Sequence, residues 1–532
     1  MRYPRPLSVP DAGRQVLNEA RQAGGALDRI ERLGNALPDP VVIFLWLIGA
    51  LVFVSVLAAF AGVHAPHPLT GDELHAQSLL SEANVRQLLT QMPETFALFP
   101  PLGLVVVVML GAAVAERSGL FGAVIGRAVR RAPRSLLTPA TFAIALLSHH
   151  ASDAAYVVLI PLAAIVWYEA GRHPLAGIAV AYAGISGAFA GNVLPGQFDA
   201  LMLGITQKAA QMLEPGRALN PLGNWAFTAT LGVLLLAVAW PVADRIVEPR
   251  LRRLRPDGDA LTSLPAAGIA TVDVAQRRGL LRAGLAALVV VAGFAALVWW
   301  PGYTPLFDQA AAGHAREAPF YRALIAGFML LFLLSGWAFG SATGSIRTHR
   351  DVVRMMVEGM RDIAPYIVIA FFAAHFIAMF TWSNLGPILA IKGAALLGGL
   401  GMPHAALLLS LLLLVSIMDL LIGSASAKWS AMAPIVVPML MLLGISPEMT
   451  TASFRVGDSI FNIVTPVASN FVLVLVMCQR WLREFGVGSL IAMMLPFSIA
   501  FGIAGLLLVA IWAGFGLPLG PASPAGYLLG AS

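Results

Sequence analysis

Charged side chains interrupt two apolar stretches in the second half of the sequence. GSASAKW at 423–429 contains Lys428, and FRVGDSIFNIVTP at 454–466 contains Arg455 and Asp458. A lysine at the centre of a bilayer costs about 2.5–3.5 kcal/mol on insertion scales, so a compensating partner or role is expected. Arg455 and Asp458 are three residues apart and share one helix face, so they either form an internal salt bridge or belong to a functional site.

The residues around Lys428 offer more than one kind of chemistry. Ser424 and Ser426 can cap the free N–H groups of a helix end, present hydroxyls and amides to an anion, or only allow close helix packing. Lys428 either binds an anionic group or pairs with Asp419 or another carboxylate. Trp429 either stacks on an aromatic ligand or packs as an ordinary tryptophan.

Further polar residues stand beside breaks in apolar segments. Asp199, which follows a proline closely, either carries a coupling proton because burial favours its neutral form, or is an interfacial carboxylate in water. Asn192 and Asn462 either offer carbonyl oxygens suited to Na⁺ or cap broken helices. Asp153, next to Ser152 in SHHASD, is either a helix cap or part of a site.

Composition places these residues in a membrane protein. The 532 residues are 58% hydrophobic and 12% charged, with a mean hydropathy of +0.80, outside the range of ordinary soluble domains. Apolar windows of about 18 or more residues recur, and each is long enough to cross a bilayer as a helix. The alternation of a membrane β-barrel does not occur, so we predict an all-α polytopic membrane protein.

Several function classes are excluded. The net charge of +6 comes from arginines beside the apolar spans, which indicates membrane orientation and no nucleic-acid partner. Cys478 is the only cysteine, so an internal disulfide is excluded. There is no Walker A motif, and no nucleophile–base pair has further support, so we expect neither ATP-driven transport nor an enzyme, and no cofactor.

Arginines also set the orientation of the chain. Residues 117–134 carry five arginines and no acid, and residues 244–282 carry eight arginines, so both segments belong in the cytoplasm. The acidic loop 63–97 and the uncharged tail after residue 515 fit the outer face. We therefore expect a cytoplasmic N-terminus and a periplasmic C-terminus. Nine crossings satisfy that parity, at about 41–62, 98–116, 174–204, 222–243, 280–300, 320–341, 363–381, 450–478 and 491–515.

Two apolar stretches each begin and end on one side of the membrane. They are 135–170, with SHHASD at its turn, and 405–444, with GSASAKW at its turn, so we predict two re-entrant hairpins of opposite sense. The stretch 384–402 is predicted to be a surface or connecting helix.

An interrupted crossing follows each hairpin, and the two interruptions form a weak internal repeat. Irregular backbone at membrane depth is tolerated only where protein buries it or where it lines a cavity. Paired breaks in halves of opposite topology point to a secondary transporter whose site lies at the repeat interface. The corresponding residues are Gly184, Ser186, Asn192 and Pro195 in the first segment and Gly457, Ser459, Asn462 and Pro466 in the second.

Four long motifs resemble the AbgT family of bacterial inner-membrane transporters: ASDAAYVVLIPLAAI, GRHPLAGIAVAYAGISGAFAGNVLP, GSASAKWSAMAPIVVPM and FRVGDSIFNIVTP. The resemblance implies nine transmembrane helices, two inverted hairpins and a bowl-shaped homodimer with scaffold and transport domains in each subunit. It also implies p-aminobenzoyl-glutamate as substrate and, for some members, proton-driven export of sulfonamide antimetabolites. By motif, the functional positions that it implies are Asp199, Ser426, Trp429, Arg455, Asp458 and Pro466.

The predicted mechanism is alternating access. Coupling comes either from protonation of Asp199 or Asp458, or from Na⁺ at Asn192 and Asn462, and the sequence leaves the direction of transport open. A channel, and a transporter of another aryl-amide or dicarboxylate solute, remain alternatives.

The predicted division of the chain is a cytoplasmic segment 1–40, scaffold helices 41–134, a first transport repeat 135–210, scaffold helices 211–362 with an arginine-rich loop 244–279, a second transport repeat 363–480, and a last helix with an outer tail 481–532.

Overall fold

The computed structural model describes residues 40–67, 71–131, 133, 136–148, 152–260, 274–309, 316–419, 424–465 and 468–528. Within these residues the chain is almost entirely helical. The first ten helices are α1 (Pro40–Phe60), α2 (Glu82–Ala97), α3 (Pro100–Arg117), α4 (Leu120–Arg131), α5 (Leu137–Leu147), α6 (Ser152–Glu169), α7 (Pro174–Tyr182), α8 (Gln197–Ala210), α9 (Trp225–Pro241) and α10 (Glu248–Leu251).

The second half of the described chain contains ten more helices. They are α11 (Val274–Trp299), α12 (Ala318–Thr343), α13 (His349–Asp362), α14 (Ala364–Trp382), α15 (Leu385–Gly399), α16 (His404–Asp419), α17 (Ala425–Leu442), α18 (Pro447–Ile460), α19 (Ser469–Gln479) and α20 (Val487–Phe515). Two π-helical segments, Ala183–Gly187 and Val242–Val247, follow α7 and α9. The small antiparallel pair β1 (His64–Pro66) and β2 (Glu73–His75) was not predicted.

Eight stretches of the described residues are long and apolar enough to cross a membrane. Seven coincide with predicted crossings, and the eighth is the second arm of the predicted second hairpin. The predicted crossings 174–204 and 450–478 are each two shorter helices with a break between them, so neither reaches spanning length as one helix. The eight are Val41–Phe60, Glu82–Arg117, Trp225–Leu251, Val274–Trp299, Pro319–Thr343, Ala364–Trp382, Ala425–Leu442 and Val487–Phe515.

Protein groups satisfy the irregular backbone at both breaks. At the first break, the Asn192 N–H donates to the Thr228 carbonyl at 3.0 Å, and the Thr228 hydroxyl donates to the Asn192 carbonyl at 3.1 Å. At the second break, the Asn462 carbonyl accepts a hydrogen bond from the Tyr182 hydroxyl at 3.2 Å. Because Tyr182 ends α7, this bond connects one interrupted segment to the other. These three backbone groups at the breaks therefore bond to protein, which would satisfy them if the breaks lie within the bilayer.

Each predicted hairpin consists of two helices, α5 with α6 and α16 with α17. The turns between them, 149–151 and 420–423, lie outside the described residues. In both halves the first arm packs against the interrupted segment at a glycine. A Cβ added to Gly184 would lie 2.5 Å from the Ala145 Cβ on α5, and one added to Gly457 would lie 2.5 Å from the Leu412 carbonyl oxygen on α16. The same contact thus recurs in both halves, at the glycines that the sequence repeat pairs.

We expect Gly457→Ala to lower the free energy of unfolding by about 1–3 kcal/mol, because the added methyl group must push α16 away from α18. Thermal unfolding of the detergent-solubilised protein measures this. Gly49→Ala on α1 is the matched control, since a Cβ there meets no atom within 4 Å. Equal melting temperatures for the two variants would contradict the close contact.

The buried apolar side chains form one large core and several smaller ones. The large core takes residues from α5 to α9 and from α16 to α20, so both halves of the repeat share it. A second core joins α1, α14 and α15, with the rings of Phe44 and Phe376 6.1 Å apart. Smaller clusters join α3, α12 and α13. The predicted connecting stretch 384–402 contains α15, which buries Ala390 and exposes Leu396.

A charge network anchors the turn between α6 and α7. The Arg172 guanidinium lies 2.5 Å from the Asp244 carboxylate and also contacts Glu248. It donates to the Thr138 hydroxyl at 2.7 Å and lies 3.8 Å from the centre of the Trp167 ring. Burial alone would lower the pKa of Arg172, but the two carboxylates raise it above its ordinary value. A permanent positive charge therefore joins α5 and α6 to the π-helical segment Val242–Val247 and to α10.

Candidate functional site

The charged residues of α18 are buried and pair with other segments of the chain. All fourteen residues of α18 are buried, including Arg455 and Asp458. The Arg455 Nη1 lies 2.7 Å from the Asp199 Oδ1 on α8. The alternative of an internal salt bridge between Arg455 and Asp458 is therefore wrong, because Arg455 pairs with Asp199 instead. The local spacing allows that pair, but tertiary packing brings α8 to one residue and α17 to the other.

Lys428 lies between two carboxylates. Its Nζ contacts Asp419 at the end of α16 and lies 2.6 Å from the Asp458 Oδ1 on α18. The side chains of Lys428 and Asp419 have no exposed surface, and that of Asp458 is 2% exposed. The alternative in which Lys428 pairs with Asp419 is thus confirmed. The two carboxylates offset the free-energy cost of placing the lysine in the membrane.

Asp199 is held by the break that precedes it. Its Oδ2 accepts hydrogen bonds from the Asn192 side-chain amide at 2.5 Å and from the Gly196 N–H at 2.8 Å. With the Arg455 guanidinium on Oδ1, the carboxylate is fixed on both oxygens, and its side chain is 13% exposed. The alternative of an interfacial aspartate in water is therefore wrong. Asp199 instead joins the first break to α18.

Trp429 and the two serines lie in the first turns of α17. The Trp429 side chain is fully buried, donates from Nε1 to the Thr206 hydroxyl at 2.9 Å, and packs 4.3 Å from the Phe454 ring. Ser424 is the N-cap of α17 and accepts a bond from a backbone N–H, as one of its predicted roles requires. The Ser426 hydroxyl lies 3.2 Å from that of Ser424. In this conformation the tryptophan packs as an ordinary core residue.

A narrow cleft lies where the first break meets α18. The space between its atoms, part of it open to solvent, is about 460 Å³, and little of it is wide enough to admit water. Arg455 Nε and Nη2, Glu448 Oε2 and Asn224 Oδ1 are buried and have no hydrogen-bond partner among the described residues. The cleft therefore holds polar groups available to a ligand. Its polar and charged lining residues are Asn192, Asp199, Thr206, Asn220, Asn224, Trp225, Thr228, Glu448, Thr451 and Arg455.

A comparison with known families decides the identity. The family model described as the AbgT putative transporter family matches residues 25–527. The chain belongs to the AbgT family. A p-aminobenzoyl-glutamate transport protein of Escherichia coli (strain K12) is 33% identical to it over 501 residues, which are 94% of this chain and 97% of that relative.

Two solved structures share the fold. The YdaH transporter of Alcanivorax borkumensis, described as having an unusual topology, has a TM-score of 0.85 and 39% identity, and the match covers 91% of this chain and 100% of that one. MtrF of Neisseria gonorrhoeae, described with a class of antimetabolite efflux pumps, has a TM-score of 0.84 and 36% identity over 94% of this chain and 100% of that one. This AbgT chain is therefore a multi-span helical membrane transporter and not an enzyme.

The positions implied by the AbgT resemblance differ in their distance from the cleft. Asp199 and Arg455 line it, Trp429 is one hydrogen bond away through Thr206, and Asp458 is paired with Lys428. Pro466 lies outside the described residues.

The remaining predicted positions lie near helix ends. Asn192 lines the cleft, whereas Asn462 contributes a backbone carbonyl to Tyr182 at the other break. Ser152 and Asp153 begin α6, and their side chains lie outside the described part of the structure.

Sequence reasoning missed Glu448. The predicted crossing starts at residue 450, which leaves this acid in a loop, whereas α18 begins at Pro447 with Ser446 as its N-cap. The S-P-E signature of a helix start was the available signal.

Proposed function

We propose that this AbgT chain is an ion-coupled secondary transporter of p-aminobenzoyl-glutamate that also exports sulfonamide antimetabolites across the bacterial inner membrane. The observation that carries the proposal is the cleft between the two interrupted segments, which is lined by a buried Arg455 guanidinium whose Nε and Nη2 have no hydrogen-bond partner among the described residues. The named substrate of the Escherichia coli relative and the efflux role of MtrF support the choice of solute.

The guanidinium of Arg455 supplies the anion-binding chemistry. Nη1 is committed to Asp199, while Nε and Nη2 have no partner among the described residues. Two N–H donors on one guanidinium edge match the two oxygens of a carboxylate or a sulfonyl group. Arg455 therefore binds the glutamate end of one solute or the sulfonyl group of the other.

The cleft in this conformation is too narrow for either solute, so its walls must separate during transport. α8 and α18 form opposite walls and are joined across them by the Arg455–Asp199 pair and by a 2.8 Å contact between the hydroxyls of Thr206 and Thr451. We propose alternating access, in which these contacts open to admit solute and re-form after release.

The buried charged residues couple the movement of solute to the movement of an ion. Within the described residues, the cations paired with Asp199, Asp419 and Asp458 are Lys428 and Arg455, so this cluster carries one excess negative charge when every group is ionised. One proton, taken by Asp458 or Asp199, removes that excess. Na⁺ at Asn192 and Asn462 is the alternative, and Asn192 lies beside the Asp199 carboxylate at the cleft.

For the membrane arrangement, we propose the one expected from the sequence. We propose that α5 with α6 and α16 with α17 are the two re-entrant hairpins, that the N-terminus is cytoplasmic and the C-terminus periplasmic, and that two subunits form the transporter. The recurrence of the glycine contact in both halves supports an inverted repeat.

Flux into proteoliposomes tests the function. With an imposed proton gradient, we expect saturable p-aminobenzoyl-glutamate transport that a sulfonamide inhibits by competition, and no comparable stimulation by a sodium gradient. Acceleration by solute on the opposite side is expected for a transporter and not for a channel. Stimulation by sodium alone would overturn proton coupling, and flux that neither saturates nor shows trans-acceleration would overturn the transporter itself.

A further inference from the structure

Glu448 is a buried acid that lines the cleft and takes no part in the proposed ion coupling. It is the second residue of α18 and 5% exposed, and its Oε2 has no hydrogen-bond partner among the described residues. Asn224, which precedes α9, contributes a second unpartnered oxygen, Oδ1, to the lining of the same cleft. Buried acceptors without a protein donor are rare in native proteins, so these two oxygens are candidates to accept hydrogen bonds from a bound solute.

The two charged ends of the cleft lie on one face of α18. Glu448 and Arg455 are seven residues apart, which places them two turns along the same face with about 10.5 Å of rise between them. One end of the cleft thus offers N–H donors and the other offers oxygen acceptors. A solute that fits must carry an anionic or sulfonyl group and, one aromatic ring and a short linkage away, a hydrogen-bond donor.

We propose that Glu448 and Asn224 form the subsite for the primary aromatic amine of the solute. This rests on the proposed function, since the para-aminophenyl group is the part that p-aminobenzoyl-glutamate and the sulfonamides share. An aromatic amine carries two N–H donors, which the Glu448 carboxylate and the Asn224 amide oxygen accept. The charge of Glu448 also repels a carboxylate from this end, so the solute enters in one orientation.

The neighbouring cation, Arg217, leaves the Glu448 Oε2 without a hydrogen bond. Arg217 acts on Glu448 only through its charge, and it lies 3.9 Å from the carboxylate of Glu214 and 5.3 Å from the centre of the Tyr527 ring. Glu214 in turn accepts a hydrogen bond from the Tyr527 hydroxyl at 2.7 Å. Glu448 therefore has partial charge compensation while its Oε2 stays free for a ligand.

Matched solutes with and without the amine test the subsite. In the wild type, p-aminobenzoyl-glutamate should compete for binding at least about tenfold better than benzoyl-glutamate, because the latter leaves both acceptors unpaired. Sulfanilamide should likewise compete for binding better than benzenesulfonamide. In Glu448→Ala, the two solutes of each matched pair should bind within about twofold of each other. Glu448→Gln keeps the size of the side chain and one acceptor oxygen, so it should retain part of the preference for the amine.

Glu214→Gln is the control variant, because this neighbouring buried acid does not line the cleft, and its preference should equal that of the wild type. If Glu448→Ala fails to fold, Asn224→Ala replaces it and should also reduce the preference. A full preference for the amine in both variants would overturn the subsite and leave the proposed function intact. A wild-type protein that binds neither member of either pair would overturn both.

Discussion

Arg455→Ala is expected to reduce p-aminobenzoyl-glutamate flux at least about a hundredfold. The substitution removes the N–H donors available to the solute and also leaves the largely buried Asp199 carboxylate without its cation, a loss that costs about 3–5 kcal/mol in other buried pairs. Proteoliposome flux, normalised to the amount of reconstituted protein, is the measurement. The variant should elute at the wild-type volume in size-exclusion chromatography, because Asn192 and Gly196 still bind Asp199.

An exposed arginine provides the control for this substitution. Arg86 pairs with Glu82 on α2, and its side chain is 68% exposed, so Arg86→Ala should transport at the wild-type rate. Arg455→Lys keeps the positive charge and loses the guanidinium edge. It therefore distinguishes the effect of the charge on flux from the effect of the hydrogen-bond geometry. Wild-type flux in Arg455→Ala would assign this residue a structural role alone.

Lys428→Met is expected to lower the free energy of unfolding by about 3–5 kcal/mol and to abolish flux. The substitution leaves Asp419 and Asp458 buried and close together with no shared cation. Thermal unfolding in detergent and proteoliposome flux measure the two effects. Asp458→Ala, which removes one excess carboxylate and leaves the Lys428–Asp419 pair, should abolish flux with a much smaller loss of stability.

The triple variant Asp419→Asn/Lys428→Met/Asp458→Asn distinguishes folding from transport. It removes all three charges, so we expect it to recover most of the wild-type melting temperature and none of the flux. A Lys428→Met protein as stable as the wild type would show that the two carboxylates do not depend on the lysine. Active transport by the triple variant would remove the cluster from the coupling mechanism.

The helices and the breaks could be predicted from the sequence because they depend on local features. Apolar windows indicate the long helices, and the prolines at 195 and 466, with Asn192 and Asn462 beside them, indicate where two segments cannot continue as one helix. The weak repeat also paired Gly184 with Gly457, and the structure shows the same close contact at both. These patterns need no knowledge of tertiary packing.

The ion pairs depend on packing between distant segments, and the sequence could not assign them fully. Arg455 pairs with Asp199, 256 residues away, although Asp458 is its nearest acid along the chain. Lys428 and Asp419 are nine residues apart along the chain, so their pairing could be stated only as an alternative. The segment 63–97 was assigned to a loop by its charge, which hid the amphipathic helix α2.

The hydrogen bond from the Tyr182 hydroxyl to the Asn462 carbonyl has a mechanical consequence. It links the two irregular segments, so a displacement of one segment moves the other as long as the bond is intact. A single neutral bond of this kind contributes only about 0.5–1.5 kcal/mol, so thermal motion can open and close it within one turnover. This bond therefore favours concerted movement of the two halves without locking either of them in place.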